Sequence, residues 1–378
     1  MRVPLVRHPT DPRGALALLA TLLAATPAAQ AEATAPPTPA LEACTVIGAP
    51  ADRLACYDKA LGRAPAPTAP PAYAENPAGG APQSSSLLAP KDAAVTVAGD
   101  KQERTPSLLS KYWELEPEDK RGVFNFVGYK ANYVLPLHVT SRINRSPQSP
   151  SQDTVELPNY KREEAKFQLS LRTKLAQDVL LPGGDLWAAF TQQAMWQIWN
   201  GTDSKPFRNS DYEPELIYVV PTPDRLRQLP FDWQWRYLQL GVAHQSNGQS
   251  DPLSRSWNRI NLAAGFERGD WSLVARLLQR LNEKAATDNN PDLVSYRGRG
   301  EFQLNWVHGK QTLQLLYRST LKDTKYGALQ LEWTYPVFSA QPNGLRWYVQ
   351  LFRGYGETLT DYNFRQTSLG AGFSFLQF

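Results

Sequence analysis

The chain has 378 residues, 42% of them hydrophobic and 20% charged, and a formal net charge of +4. Its 40 Lys and Arg are interleaved with 36 Asp and Glu instead of gathering into a stripe, so no nucleic-acid footprint is present. Both cysteines lie near the N-terminus, which excludes thiolate–metal and thiol chemistry from the rest of the chain.

Residues 1–31 read as a secretory signal. Arg2, Arg7 and Arg13 form a basic start, Ala15 to Ala25 an apolar stretch, and Ala29-Gln30-Ala31 a small-x-small cleavage site. Its removal takes three Arg and one Asp, leaving a net charge of +2. An exported chain meets an oxidising compartment. There Cys44 and Cys56, in EACTVIGAPADRLACYDKALGR, can close a small loop, and residues 32–63 are expected to form a short helical hairpin. From Ala64 to about Ala98 the text APAPTAPPAYAENPAGGAPQSSS is an extended linker that can build no core. Charged residues from Lys101 to Arg121 lead on, so 64–120 is expected to be linker and the whole extension flexible and periplasmic.

From residue 121 the period is two. GALQLEWTYPV sets Leu329, Leu331, Trp333, Tyr335 and Val337 against Ala328, Gln330, Glu332 and Thr334. EFQLNWVHG sets Phe302, Leu304 and Trp306 against Glu301, Gln303 and Asn305. AKFQLSLR sets Ala165, Phe167, Leu169 and Leu171 against Lys166, Gln168, Ser170 and Arg172. Twelve strands are predicted, near 123–138, 164–175, 185–199, 212–220, 231–246, 256–267, 271–282, 294–308, 311–320, 327–337, 344–356 and 362–378. Longer polar loops fall at 139–163, 200–211 and 283–293.

A soluble sandwich also alternates, but three features favour lipid. The strands are about ten residues long, which suits a tilted crossing. Trp and Tyr cluster at strand ends, as an interfacial girdle requires. Glu, Gln, Arg and Asn recur in mid-strand on the opposite face, as in a polar lumen. Past the signal there is no apolar run long enough for a membrane helix. The predicted fold is all-β: a twelve-stranded antiparallel transmembrane β-barrel at 121–378, closed so that every backbone group is paired.

In FDWQWRYLQLGVAHQS the even positions Leu238, Leu240 and Val242 are apolar and face lipid; His244 and Ser246 continue that face. In SWNRINLAAGF, Asn258 shares a side with Ile260, Leu262, Ala264 and Phe266, so it also faces outward. A hairpin centred near Asp251 puts His244 opposite Asn258, about 5 Å away. Ser246 is one same-face step from His244, about 7 Å along the strand. Polar groups are costly on such a surface unless partnered. The trio has the chemistry of a nucleophile (Ser246), a base (His244) and a group that fixes the imidazole tautomer (Asn258). The following Asn247-Gly248 offers a backbone N–H, at Gly248, for an oxyanion. From the residues alone the reading stays open between an enzyme and a catalytically silent channel or structural barrel whose polar residues only cap loop ends.

HQSNGQSDPLSRSWNR is similar to the active-site segment of the outer membrane phospholipase A family, calcium-dependent lipolytic barrels of Gram-negative envelopes. KFQLSLRTKL, SKPFRNSDYEPELIY, TDNNPDLVSYRGRGEFQL and GYGETLTDYNFRQTSLGAG resemble that family too, so the likeness spans most of 123–378 and none of the extension. It implies hydrolysis of acyl esters of phospholipids and lysophospholipids in the outer leaflet of the outer membrane, by Ser246, His244 and Asn258. It implies homodimers that bind calcium through the hydroxyls of Ser254 and, from a second copy, Ser204. The third ligand is a backbone carbonyl, at Gln249, where the family commonly has Arg. An acidic residue that can serve a second calcium mode in the family falls on Asn289. Gln192, a polar intruder between Phe190 and Ala194 on an apolar face, can hydrogen-bond across a two-fold interface. The resemblance places the family's interface Gln there.

Overall fold

The computed structural model describes residues 43–61 and 107–375, in two units divided between Thr96 and Val97. The signal segment, the Pro/Ala/Ser-rich stretch and residues 376–378 lie outside the described residues. In the small unit, α1 spans Pro50–Ala60, with Asp52 in its first turn and Lys59 in its last, matching the helix dipole. Cys56 on this helix is bridged to Cys44, whose side chain is buried.

The large unit is a closed sheet. Its strands are β1 (Phe126–Gly128), β2 (Asn132–Thr140), β3 (Glu163–Ala176), β4 (Asp185–Trp196), β5 (Phe207–Pro221), β6 (Gln234–Ser246), β7 (Ser256–Arg268), β8 (Trp271–Arg280), β9 (Gly300–His308), β10 (Gln311–Ser319), β11 (Ala328–Pro336), β12 (Arg346–Tyr355) and β13 (Arg365–Phe375). From β2 onward each pairs antiparallel with its sequence neighbours, and β13 closes back on β2. β1 lies along the same edge of β3 as β2 does, with Phe126 opposite Thr173 and Tyr133 opposite Gln168. The two are halves of one stave, so the barrel has twelve, as the sequence predicts.

Several boundaries differ from expectation for local reasons. The first stave breaks at 129–131 because Tyr129 turns in to the aromatic cluster described below, while Lys130 turns in to Glu213 and Glu215, at 2.9 and 3.1 Å. The strand expected from 231 starts at Gln234, because Pro230–Asp232 forms a tight turn with Phe231 at a φ of 62°. The strand expected from 294 starts at Gly300, because Leu293–Arg297 winds into a short helix that buries Leu293. β5 begins earlier than expected, at Phe207, and β13 later, at Arg365.

Burial is inverted relative to a water-soluble protein. Leu240 is 52% exposed while its neighbour Gln239 is 1% exposed; Leu238, Val242, Ile260, Leu262, Leu329 and Leu351 are exposed as well. Apolar side chains outside and polar ones inside are what a bilayer selects. No helix among the described residues is long and apolar enough to cross a membrane. The lumen is filled by ion pairs. Lys166 Nζ and His138 Nε2 each lie 2.9 Å from Glu357 Oε1, and Arg208 joins Glu164 and Asp361, each at 2.6 Å. Lys174 joins Glu114 at 2.9 Å and Asp185 at 2.8 Å.

Residues 107–121, where a charged lead-in was expected, carry α2 (Leu108–Trp113), capped by Ser107 Oγ accepting from the Ser110 N–H. The helix enters the lumen at the end opposite the tip of β6. Trp113 packs edge-on against Tyr129, Trp187 and Tyr237, with centroids 6.1, 5.8 and 6.0 Å away. The Arg172 guanidinium lies 3.7 Å from the Tyr112 ring and 4.4 Å from that of Trp113.

Candidate active site

The hairpin of β6 and β7 carries the predicted trio. Its register sets His244 opposite Asn258 and Ser246 opposite Ser256. His244 is exposed, like Leu240 and Val242 before it, while Ser246 and Asn258 are half-buried. His244 Nδ1 lies 2.9 Å from Asn258 Oδ1. An amide oxygen only accepts, so this contact keeps the proton on Nδ1 and leaves the Nε2 lone pair open. Ser246 sits one same-face step farther along β6, opposite Tyr212 of β5 on its other side. Among the described residues, no hydrogen bond links its hydroxyl to His244. The strand pairing thus brings two of the three groups into contact and sets the third two residues along the same face of β6.

The turn 247–255 after Ser246 has a defined shape. Its Asn247 N–H donates to the Arg255 carbonyl at 3.0 Å. Gly248 has a φ of +62°, which favours glycine, and a Cβ there would come 3.2 Å from the Tyr212 ring, a tight approach. Among the described residues no acceptor is recorded for the Gly248 N–H, so it is available to a ligand. Arg255 is buried and donates to the Pro252 and Ser254 carbonyls at 2.8 and 2.7 Å. Burial draws its pKa below the ordinary arginine value.

The residues expected near calcium are only partly gathered. Gln249 and Ser254 share the turn. Ser254 Oγ accepts from Asn289 Nδ2 at 2.9 Å, and Asn289 Oδ1 accepts from the Ser256 N–H at 3.1 Å. Ser204 is exposed in the turn between β4 and β5, and no bond joins it to Ser254 or Gln249 among the described residues. A hydroxyl and a carbonyl are hard oxygen donors and fit a calcium-like ion. No cluster of three or more His, Cys, Asp or Glu that could hold a metal occurs among the described residues. Such an ion would therefore rest on neutral oxygens and on ligands from elsewhere.

Gln192 lies in mid-β4, opposite Leu169 of β3 and Tyr212 of β5. It is half-buried on the lipid-facing side, and among the described residues its amide makes no hydrogen bond. Two side chains the sequence did not single out stand beside the trio. Asn247 was read only for its backbone, and Thr360 lies 113 positions away, beyond the reach of any local pattern.

A sequence profile of the phospholipase A1 family matches residues 109–375. The chain belongs to this family. Phospholipase A1 of Escherichia coli K12 is 35% identical over 249 residues, which cover 66% of this chain and 81% of that protein. The Salmonella typhi outer membrane phospholipase, solved as a dimer with bound calcium, superimposes with a TM-score of 0.60 at 32% identity. The match covers 71% of this chain and 97% of that one. Outer membrane phospholipase A of Escherichia coli, solved as an asparagine-to-alanine active-site mutant, gives a TM-score of 0.61 at 30% identity over 72% of this chain and all of that one. This phospholipase A1 relative is thus an enzyme that hydrolyses phospholipids, built as a β-barrel of the Gram-negative outer membrane.

Proposed function

We propose that Ser246, His244 and Asn258 are the catalytic triad of this phospholipase and act at the lipid-facing rim of the barrel. The observation that carries the reading is the 2.9 Å contact of His244 Nδ1 with Asn258 Oδ1, on a face otherwise given to Leu and Val. The Salmonella typhi and Escherichia coli relatives support it, the latter through its asparagine active-site mutant. Ser246 Oγ attacks the ester carbonyl carbon of a phospholipid or lysophospholipid and passes its proton to His244 Nε2. The Gly248 N–H donates to the oxyanion. On collapse the alcohol leaves with that proton, and water, activated by the same imidazole, releases the fatty acid from Ser246. Asn258 holds the ring in the one tautomer that can accept from Ser246. Being neutral, it is cheaper at a membrane surface than a carboxylate.

Calcium is the proposed cofactor, held by Ser254 Oγ and the Gln249 carbonyl of one copy and by Ser204 of a second. It would supply positive charge next to the oxyanion site. A homodimer through the Gln192 face completes this set. The competing reading, a catalytically silent channel or structural barrel, is disfavoured because neither has a use for a bonded His244–Asn258 pair on the lipid-facing side. The test is acyl-ester hydrolysis in detergent with calcium or with a chelator, for the wild type and for Ser246→Ala. Hydrolysis by Ser246→Ala at the wild-type rate ends the reading.

A further inference from the structure

Three consecutive residues between β12 and β13 are tied into the top of the lumen. The Leu359 N–H donates to Asp211 Oδ2 at 2.9 Å, and the Thr360 hydroxyl donates to Asn209 Oδ1 at 2.6 Å. The Asp361 carboxylate accepts from Arg208 Nη1 at 2.6 Å and from the Thr358 hydroxyl at 3.0 Å. Arg208 is held from its other edge by Glu164, at 2.6 and 3.0 Å. All of these residues are buried. With Leu359 and Asp361 pinned on either side, the Thr360 hydroxyl occupies a fixed point in the barrel.

Against that point lies Asn247, the residue after Ser246. Its amide makes four hydrogen bonds. Nδ2 donates to Thr360 Oγ1 at 3.1 Å and to the Leu253 carbonyl at 2.8 Å. Oδ1 accepts from the Arg255 N–H at 2.9 Å and the Gln249 N–H at 3.3 Å. The amide therefore ties the turn across itself and ties it to the barrel through one hydroxyl. Gln249 Nε2 adds a second strut, to the Arg208 carbonyl at 3.2 Å. The same turn carries the Gly248 N–H, the Gln249 carbonyl and Ser254.

We propose that Asn247 and Thr360 are positioning residues of the active site. Through them the ion-paired interior fixes the turn that presents the oxyanion donor and two calcium-facing oxygens. This rests on the assignment of Ser246 as nucleophile. Buried amide networks of this kind act as a unit, and a shift of an ångström at a reacting centre is costly in rate.

The test compares Thr360→Val, which keeps shape and deletes the hydroxyl, with Thr360→Ser, which keeps it. Both are made in the full chain in detergent with calcium, beside Ser246→Ala. Thr360→Val lowers kcat about tenfold with KM for a short-chain ester unchanged, and raises the calcium concentration needed for half activity. Apart from turnover, amide hydrogen exchange at Gln249 and Arg255, both donors to Asn247 Oδ1, quickens with calcium chelated, while β-strand amides stay as they were. Thr360→Ser restores all of these. Wild-type kcat together with wild-type exchange at Gln249 and Arg255 in Thr360→Val overturns the proposal. So does a loss that Thr360→Ser fails to restore, or faster exchange throughout the barrel, since packing is then the cause. An active Ser246→Ala is a different failure: it removes the nucleophile and not the strut.

Discussion

The inside and the outside of this barrel treat polar groups in opposite ways. Inside, many charges are paired: Lys174 has two carboxylates, Arg208 has two, and Glu357 has a lysine, with the His138 ring beside it. Outside, polar groups are few and sparsely bonded: Gln192 stands in mid-strand between Phe190 and Ala194, and His244 near the tip of β6 has the single contact to Asn258. A crowded, paired charge bears on stability, because removing one partner alone strands the other in the interior. A sparse, under-bonded polar group on an apolar surface costs free energy that folding does not return, so its use lies elsewhere. The distinction can be broken by experiment, since interior changes away from the 247–255 turn should move stability and changes to the exterior trio should move function.

The largest effect is expected outside. Ser246→Ala should lower acyl-ester hydrolysis by at least about a thousandfold while its circular-dichroism spectrum in detergent stays that of the wild type. An unfolded Ser246→Ala barrel would blur the contrast between the two surfaces. Next comes the interior. Lys174→Met strips Glu114 and Asp185 of their shared partner at the end far from the trio. Lys120 and Arg121 remain beside those carboxylates, so the cost sits near the lower end for a broken buried pair, about 3 kcal/mol. Urea unfolding in detergent reads this, and hydrolysis per folded molecule should stay within about twofold. A large drop in turnover would mean that the two surfaces are not separable.

Asn258→Ala removes the acceptor of His244 Nδ1–H but neither nucleophile nor base. A fall in kcat of about ten- to a hundredfold is expected, about 1.4–2.7 kcal/mol, with KM little changed. Asn258→Asp should recover part of it. The smallest effect is at Gln192→Leu, which makes the outer face uniformly apolar. Self-association with calcium, followed by sedimentation in detergent, should weaken by about 1 kcal/mol, while unfolding of the monomer is unaffected or slightly harder. Undiminished association would move the interface elsewhere.

How much of this was legible follows from distance along the chain. Strand parity is a property of adjacent residues, so the faces of Leu240, Gln239 and His244 are readable directly, and a hairpin centred near Asp251 sets His244 against Asn258. The break at Tyr129 is not readable, because what turns that ring inward is Trp113, on a helix whose sequence LLSKYW shows nothing until the barrel mouth receives it. The gap between Ser246 and His244 depends on rotamers, which parity does not specify. The sequence at Asn289 shows that an acid is absent, but the amide's bonds to Ser254 and the Ser256 N–H depend on how two distant turns meet. Thr360 needed the closed barrel to come near Asn247 at all.

The aromatic and guanidinium packing around Trp113 has a consequence for permeability. Rings stopper one mouth of the bore and bonded charges crowd it farther in, so the barrel's interior serves as scaffold for its outer rim. Inserted in a planar bilayer, it should add little ion conductance.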